Sequence, residues 1–215
     1  FGWEETGIIL GKEPEGEFAP TVPTPALAPG MVPAVEGGAE WGSLMHRALE
    51  ALVKDEPDLE ELLQAELKAF NLPVKQLPAI LQELERFKQT GLWQEIQAAG
   101  ESKHTEVPFS LYINKKHHLY AMFKKKTDSR LPVLVNGVID LIYRDSEGWV
   151  IVDYKTDRIT DEATLHRLLA QYTPQVHAYA QAWEELTGEK AARGELFFLA
   201  LQRSCRVYPS NGHLF

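Results

Sequence analysis

"GVIDLIYRDSEGWVIVDYKTD" occupies residues 137–157 and contains two apolar runs separated by the short segment RDSEG. Runs rich in Val and Ile that flank a short Gly-containing segment predict two antiparallel strands joined as a hairpin. Asp140 lies inside the first run, and Asp153 and Lys155 end the second. Burial of an ionised group is costly unless a partner compensates it. We therefore expect these side chains to pair with each other or to bind a ligand.

The elements around this hairpin follow from hydrophobic periodicity and from Gly and Pro breakers. Apolar residues recur at helical spacing from about Trp41 onwards. The patterns predict helices from about 41 and at 58–69, 76–89 and 91–98, strands at 105–113, 132–143, 148–154 and 194–201, and one or two helices around Pro174 that end at Gly188. Helices, then strands, then helix and strand predict an α/β or α+β sheet with helices packed against it.

Residues 1–40 are rich in Pro and Gly, and this composition predicts a linker or an extended strap. Residues 41–215 are expected to form one domain, with a helical part at about 41–100 and a sheet with helices at about 101–208. The chain starts without Met or a signal peptide, which we interpret as the start of a piece excised from a longer protein.

Composition excludes several classes of protein. No apolar run reaches the roughly 18 residues of a membrane helix, and the single Cys205 allows no internal disulfide, so we expect no membrane association and a reducing, cytoplasmic setting. The formal net charge of −9 argues against a general nucleic-acid coat protein but not against a nucleic-acid enzyme with a local basic track. The basic stretch 114–130 is either a solvated loop or such a track.

The spacing of Asp153 and Lys155 matters because residues two apart on a strand point to the same face. In the predicted hairpin, Asp140 lies across from them. Two carboxylates on rigid strands suit Mg²⁺ or Mn²⁺, and a neighbouring lysine can orient or help deprotonate a water and stabilise charge on a phosphate. This arrangement suits phosphodiester hydrolysis. The alternative for an isolated D-x-K is a surface ion pair.

The 137–157 stretch resembles the nuclease motif of the PD-(D/E)XK superfamily, in its RecB-type form. "GSLMHRALEAL", residues 42–52, resembles the upstream G-x-x-x-H helix of that family, "YTPQVHAYAQAWEELTG", residues 172–188, resembles its Q-x-x-x-Y motif, and "TEVPF" resembles its first core strand. The match covers roughly residues 41–202. The resemblance implies an α/β fold with a restriction-endonuclease-like central mixed sheet, flanked by helices and preceded by an N-terminal helical region.

The resemblance also implies a role for each matching residue, and these roles are metal ligation by His46, Asp140, Asp153 and the carbonyl of Tyr154, catalysis by Asp140, Asp153 and Lys155, and DNA positioning by Gln175, Tyr179 and Tyr172. Taken alone, His46 would be interpreted as a packed core histidine. Glu106 matches an acidic position in some relatives, without a defined role. Asp157 is interpreted as a turn residue or a helix cap.

Within this family, the chain resembles in particular the C-terminal nuclease domain of helicase–nuclease subunits of the AddA type, which are ATP-dependent exonucleases. It implies a Mg²⁺- or Mn²⁺-dependent DNase in double-strand-break repair, supplied with single-stranded ends by helicase domains of the same longer chain and working with a partner subunit. Relatives of the AddB and Cas4 types hold an iron–sulfur cluster with four cysteines. With Cys205 alone, no cluster is expected. The alternatives are an inert nuclease-like domain that binds DNA or scaffolds a partner, and a stand-alone Cas4-like or phage exonuclease.

Overall fold

A six-stranded mixed sheet lies at the centre of the computed structural model, which describes residues 7–10, 38–117, 120 and 133–209. The strands are β1 (Gly7–Leu10), β2 (Lys103–Ile113), β3 (Val133–Arg144), β4 (Trp149–Lys155), β5 (Ala191–Phe198) and β6 (Arg203–Tyr208). The helices are α1 (Gly38–Val53), α2 (Leu59–Ala69), α3 (Leu77–Lys88), α4 (Gly91–Ala98) and α5 (Glu162–Thr187).

Strand β3 organises the sheet because it pairs with three other strands. β2 runs antiparallel along β3 from residue 133 to residue 143. Since β2 occupies this whole edge, β1 and β4 share the opposite one. β1 pairs in parallel with residues 134–137, and β4 pairs antiparallel with residues 141–144. β4 then pairs in parallel with β5, and β6 lies beyond β5 in antiparallel orientation.

The two faces of the sheet carry separate hydrophobic cores. On β4, Val150 and Val152 pack with helices α1–α4, whereas Ile151 packs on the side of α5. This alternation is the period of two that a strand imposes on its side chains. Helices α1–α4 therefore share a core with one face of the sheet, α5 shares a core with the other face, and the sheet is held between them.

The predicted α/β fold, with a central mixed sheet flanked by helices and an N-terminal helical region, is confirmed. The predicted helices α2, α3 and α4 agree within two residues at each end, and the hairpin is β3–β4. Gly188 ends α5 with a φ of 77°, and its N–H donates to the Glu184 carbonyl at 2.8 Å. The helix around Pro174 is continuous. Directly before Pro174, the Thr173 hydroxyl donates to the Leu169 carbonyl at 2.7 Å, about one turn back along the helix.

Three features differ from the prediction. β1 lies in the segment predicted as a linker or strap, and residues 1–6 and 11–37 of that segment lie outside the described residues, so the boundary at residue 40 stays a prediction. β6 was not predicted, because Val207 is its one fully buried residue and its other side chains are mostly polar. The predicted strand 194–201 ends at Phe198 and continues as a 3₁₀ turn.

Most of the basic stretch 114–130 also lies outside the described residues. Its role therefore stays an open prediction. No helix in the described part of the chain is both long enough and apolar enough to cross a membrane.

Candidate active site

Asp140 lies where the sheet divides. The pairing of β3 with β1 ends at Gly137, and its pairing with β4 begins at Leu141, so Asp140 falls between the two. Its Oδ2 accepts a hydrogen bond of 2.8 Å from the backbone N–H of Tyr154 on β4. A side-chain oxygen of β3 thus accepts the Tyr154 N–H of β4, at the point where the two strands separate.

Helix α1 brings His46 to this fork. Leu44, Met45 and Leu49 are fully buried in the core under α1 and fix the helix, while the His46 side chain remains 29% exposed. The His46 Nδ1 lies 3.3 Å from Asp140 Oδ1. Burial lowers the pKa of His46, but the Asp140 carboxylate outweighs this and raises the pKa to about 9.

Asp153 is the most deeply buried acid at the site, with 1% of its surface exposed. Its Oδ2 lies 2.8 Å from the Lys155 ammonium but accepts no well-aligned hydrogen bond from any described residue. Burial, helped by repulsion from Asp140 and opposed by Lys155, raises the pKa of Asp153 to about 6. Burial also acts on Asp140, but His46 outweighs it and lowers the Asp140 pKa. The two carboxylates are therefore pushed in opposite directions.

Lys155 is connected to α5 through two residues of the predicted Q-x-x-x-Y motif. Its ammonium donates to Gln175 Oε1 at 3.1 Å, and Gln175 Nε2 donates to the Tyr179 hydroxyl at 2.6 Å. Tyr179 is fully buried and packs edge-on against Phe109, with ring centroids 5.5 Å apart. Burial lowers the pKa of Lys155, but the Asp153 carboxylate outweighs it and the pKa is raised. Lys155 is therefore an ammonium at neutral pH.

Tyr172 and Asp157 also lie close to Lys155. The ammonium lies 4.2 Å from the centroid of the Tyr172 ring, and the Tyr172 hydroxyl donates to Asp157 Oδ1 at 3.1 Å. Of the two interpretations of Asp157, turn residue or helix cap, the helix cap was wrong, since Asp161 caps α5 by accepting from the Thr164 N–H. The sequence signal that could have placed Asp157 at the site was its position two residues after Lys155.

Glu106 faces Asp140 across the β2–β3 ladder. Thr105 pairs with Leu141 and Val107 with Ile139, so Glu106 occupies the register position of Asp140. Its φ of 49° is in the left-handed region, which is uncommon for a residue with a side chain. Burial, followed by the charges of Asp140 and Glu50, raises the pKa of Glu106. The sequence pointed to Glu106 without a defined role, and the β2–β3 register explains why it lies close to Asp140.

The donor set fits a hard divalent cation by type. Two carboxylates, one imidazole and the Tyr154 backbone carbonyl belong to the residues at the fork, and Asp153 Oδ2 is a buried oxygen without a hydrogen bond. Among the described residues, however, no three His, Cys, Asp or Glu side chains are arranged to hold a metal ion. In their place, the described structure has two ion pairs, His46–Asp140 and Asp153–Lys155.

Comparison with known proteins identifies the family. The model of the PD-(D/E)XK nuclease superfamily matches residues 27–210. Among curated relatives, an ATP-dependent helicase/nuclease subunit of Oceanobacillus iheyensis is 31% identical over 172 residues, 76% of this chain and 14% of that protein. The subunit of the same name from Carboxydothermus hydrogenoformans is 36% identical over 125 residues, 58% of this chain and 10% of that protein. That from Listeria welshimeri is 29% identical over 183 residues, 80% of this chain and 14% of that protein.

The likeness to helicase–nuclease subunits of the AddA type that the sequence motifs predicted is thus confirmed. The chain spans about a seventh of the length of these relatives or less. The hairpin with Asp140, Asp153 and Lys155 lies within the matched residues, and the chain belongs to the PD-(D/E)XK nuclease superfamily.

Proposed function

We propose that this chain is a metal-dependent deoxyribonuclease domain that hydrolyses phosphodiester bonds. The observation that carries the proposal is the buried Asp153 carboxylate, which lies beside Asp140 and Lys155 and has an oxygen without a hydrogen bond. A charge this deeply buried, with a raised pKa, is costly to the fold. Such perturbed groups cluster at functional sites, and a divalent cation is the partner that would compensate the carboxylate.

His46, Asp140, Asp153 and the carbonyl of Tyr154 would hold Mg²⁺ or Mn²⁺. The ion would supply Lewis acidity toward a phosphate oxygen and a more acidic bound water. Lys155, an ammonium in this environment, is suited to orient the attacking water and to stabilise the negative charge that grows on the phosphate. Water would add to phosphorus as the bond from phosphorus to the leaving oxygen breaks.

The substrate strand would lie along the end of α5 that faces Lys155. Gln175 and Tyr172 border the ammonium there, whereas the buried Tyr179 would act on the strand only through Gln175. We propose exonuclease action on single-stranded ends. Positioning of DNA by these three residues is implied by the family resemblance, and the contacts of Gln175 and Tyr172 with Lys155 support it.

We propose further that the domain is the nuclease part of a helicase–nuclease that resects double-strand breaks for recombinational repair in the cytoplasm. Its relatives are named as subunits of an ATP-dependent helicase/nuclease, and the chain matches 10–14% of their length. The helicase domains would belong to the same longer chain. A second protein would complete the complex.

The test is cleavage of a labelled single-stranded oligonucleotide with Mg²⁺ or Mn²⁺ by the wild type, Asp153→Ala and Lys155→Ala. Asp161→Asn is the matched control, because Asp161 is an exposed helix cap and asparagine also caps well. Both site variants should lose cleavage and keep their circular dichroism spectrum. Undiminished cleavage by Asp153→Ala would refute the mechanism. DNA binding without cleavage, together with no heat of Mn²⁺ binding by calorimetry, would favour an inert scaffold instead.

A further inference from the structure

The Lys155 ammonium has three partners of different chemistry. Asp153 supplies a carboxylate at 2.8 Å, Gln175 supplies an amide oxygen at 3.1 Å, and Tyr172 supplies a ring face at 4.2 Å. The Lys155 side chain is 11% exposed. The amide and the ring come from one helix, since Tyr172 and Gln175 lie about one turn apart on α5. Lys155 is therefore held between the end of β4 and the face of α5.

The Tyr172 ring is itself fixed by Asp157. The hydroxyl donates to Asp157 Oδ1, and Asp157 follows Lys155 by two residues on the segment that leaves β4. Asp157 Oδ2 is buried and accepts no hydrogen bond from any described residue. The half-buried Asp157 carboxylate therefore has one described hydrogen bond, which it accepts from the Tyr172 hydroxyl. The segment that carries the lysine also carries the residue that orients its aromatic partner.

The three partners would not be equivalent during the proposed reaction. Asp153 is the partner that a divalent cation would engage, and the ammonium would then lose its carboxylate. Gln175 and Tyr172 are uncharged, so they can hold the ammonium without competing for the cation. A lysine side chain is flexible and its ammonium can point in many directions, so a second set of contacts is needed to fix it. Aromatic faces attract ammonium groups most strongly where water is excluded.

We propose that Tyr172 and Asp157 are positioning residues for Lys155, with the Tyr172 ring holding the ammonium on its face and Asp157 fixing the ring through its hydroxyl. The inference rests on the proposed nuclease function and deepens it. It gives Tyr172 an effect on the chemical step, in addition to the place beside the DNA strand that the family resemblance implies. Asp157 acquires a role through Tyr172 and does not need to touch metal or substrate.

The kinetic test compares Tyr172→Leu, which removes the ring, with Tyr172→Phe, which keeps the ring and removes the hydroxyl. With Mn²⁺ and a single-stranded oligonucleotide, kcat of Tyr172→Leu should fall about tenfold or more, the size expected for a desolvated cation–π contact. Any rise in KM and in the Kd for the oligonucleotide reports the separate place of Tyr172 beside the DNA strand. Tyr172→Phe and Asp157→Ala should show the same smaller loss of kcat. Tyr112→Leu, at an exposed tyrosine on β2, is the matched control.

The second readout needs neither metal nor DNA. Brief acetylation of the metal-free protein, followed by peptide mass spectrometry, measures the reactivity of Lys155 relative to Lys54, which forms an ion pair with Glu50 on α1. Without the ring on it, the Lys155 amino group is more accessible to the reagent, so it should react faster in Tyr172→Leu than in the wild type, and only slightly faster in Tyr172→Phe. Normalising to Lys54 corrects for any general loosening of the fold.

A lower kcat together with a more reactive Lys155 supports the proposal. A higher KM and Kd with unchanged kcat overturns it and leaves Tyr172 as a DNA contact alone. Unchanged Lys155 reactivity in Tyr172→Leu also overturns it. If the wild type cuts no DNA, the nuclease function fails, and Lys155 reactivity alone then decides whether Tyr172 and Asp157 hold the ammonium. If Tyr172→Leu does not fold, Tyr172→Phe and Asp157→Ala carry the same comparison.

Discussion

The carboxylate of Asp140 accepts the backbone N–H of Tyr154 at 2.8 Å, at the point where strands β3 and β4 separate. The same carboxylate lies 3.3 Å from His46 on α1. One side chain therefore satisfies a buried backbone donor, connects the sheet to the first helix and contributes an oxygen to the candidate metal site. Its structural and chemical roles can be separated by substitution.

Asp140→Asn and Asp140→Ala should differ in stability but not in activity. Asparagine keeps an oxygen that can accept from the Tyr154 N–H, whereas alanine leaves that buried donor unpaired, which costs about 1–3 kcal/mol. We expect both variants to lose DNA cleavage, because both lose the charged oxygen. Urea denaturation should place Asp140→Ala clearly below Asp140→Asn. Equal stability of the two would contradict the role given to this hydrogen bond.

Asp153→Asn should stabilise the metal-free protein at pH 8. The pKa of Asp153 is raised to about 6 even though Lys155 is adjacent, so ionisation of this carboxylate is unfavourable in the folded state. A neutral residue of the same shape removes that cost, and we expect a gain on the order of 1–2 kcal/mol. Mn²⁺ should raise the Tm of the wild type and leave that of Asp153→Asn nearly unchanged. A metal-free variant less stable than the wild type would show that the ion pair with Lys155 dominates.

Gly194→Ala should weaken both the fold and the site. A Cβ at Gly194 would lie 2.5 Å from Cγ1 of Val176 and 3.1 Å from Cβ of Tyr208, so β5 and α5 would have to move apart. Overpacking of this kind costs about 1–3 kcal/mol. Because Val176 follows Gln175 on α5, the 3.1 Å bond between Gln175 and Lys155 should lengthen and kcat should fall.

Gly91→Ala is the matched control for this prediction, since a Cβ there meets nothing within 4 Å. The Val176→Ala change, added to Gly194→Ala, should cost less than the sum of the two single changes, because it removes the clashing methyl group. Thermal denaturation of the wild type, Gly194→Ala, Val176→Ala and the double variant tests this. Additive losses would mean that the new Cβ does not clash with the Val176 methyl group.

Arg193 on β5 stabilises the end of the sheet away from the candidate site. Its guanidinium donates to side chains from α4, the β3–β4 hairpin and β5, namely Glu95, Asp145, Tyr143 and Glu195. Arg193→Met should therefore lower the free energy of unfolding by about 1–3 kcal/mol, the cost of leaving partly buried acceptors without a donor. Arg86→Met, which removes a half-exposed ion pair on α3, should cost less than about 1 kcal/mol. Urea denaturation measures the free energy of unfolding of both variants. Equal losses would contradict the larger effect expected for Arg193→Met.

The effect of Arg193→Met should depend on pH through Asp145. Burial raises the pKa of Asp145, but hydrogen bonds from the Glu147 and Gly148 N–H groups and the charge of Arg193 outweigh it and lower the pKa below its ordinary 3.8. A lowered pKa gives stability that is fully present above the unfolded value and is lost as the pH falls through the folded value. The gap between wild type and variant should be constant from about pH 8 to 5 and shrink below about pH 4. A gap that widens in acid would contradict this assignment.

The sequence by itself determined the elements and the chemical types at the site. Helical spacing predicted α2–α4, the hairpin predicted β3–β4, and the position of Asp140, Asp153 and Lys155 within apolar runs predicted charged groups at a buried place. These features are local. They depend on periods of 3.6 and two residues and on turn chemistry, which a linear pattern records directly.

Only the tertiary structure decided which groups meet. The bond between Asp140 and the Tyr154 N–H, the link from Asp157 through Tyr172 to Lys155, and the position of Glu106 opposite Asp140 all depend on register and on the docking of α5. β6 likewise exists because it pairs with β5 and not because its mostly polar sequence demands a strand. The physical reason is that strand propensity is weak and depends on the neighbouring strands, so partners distant in sequence set the register and local periodicity cannot.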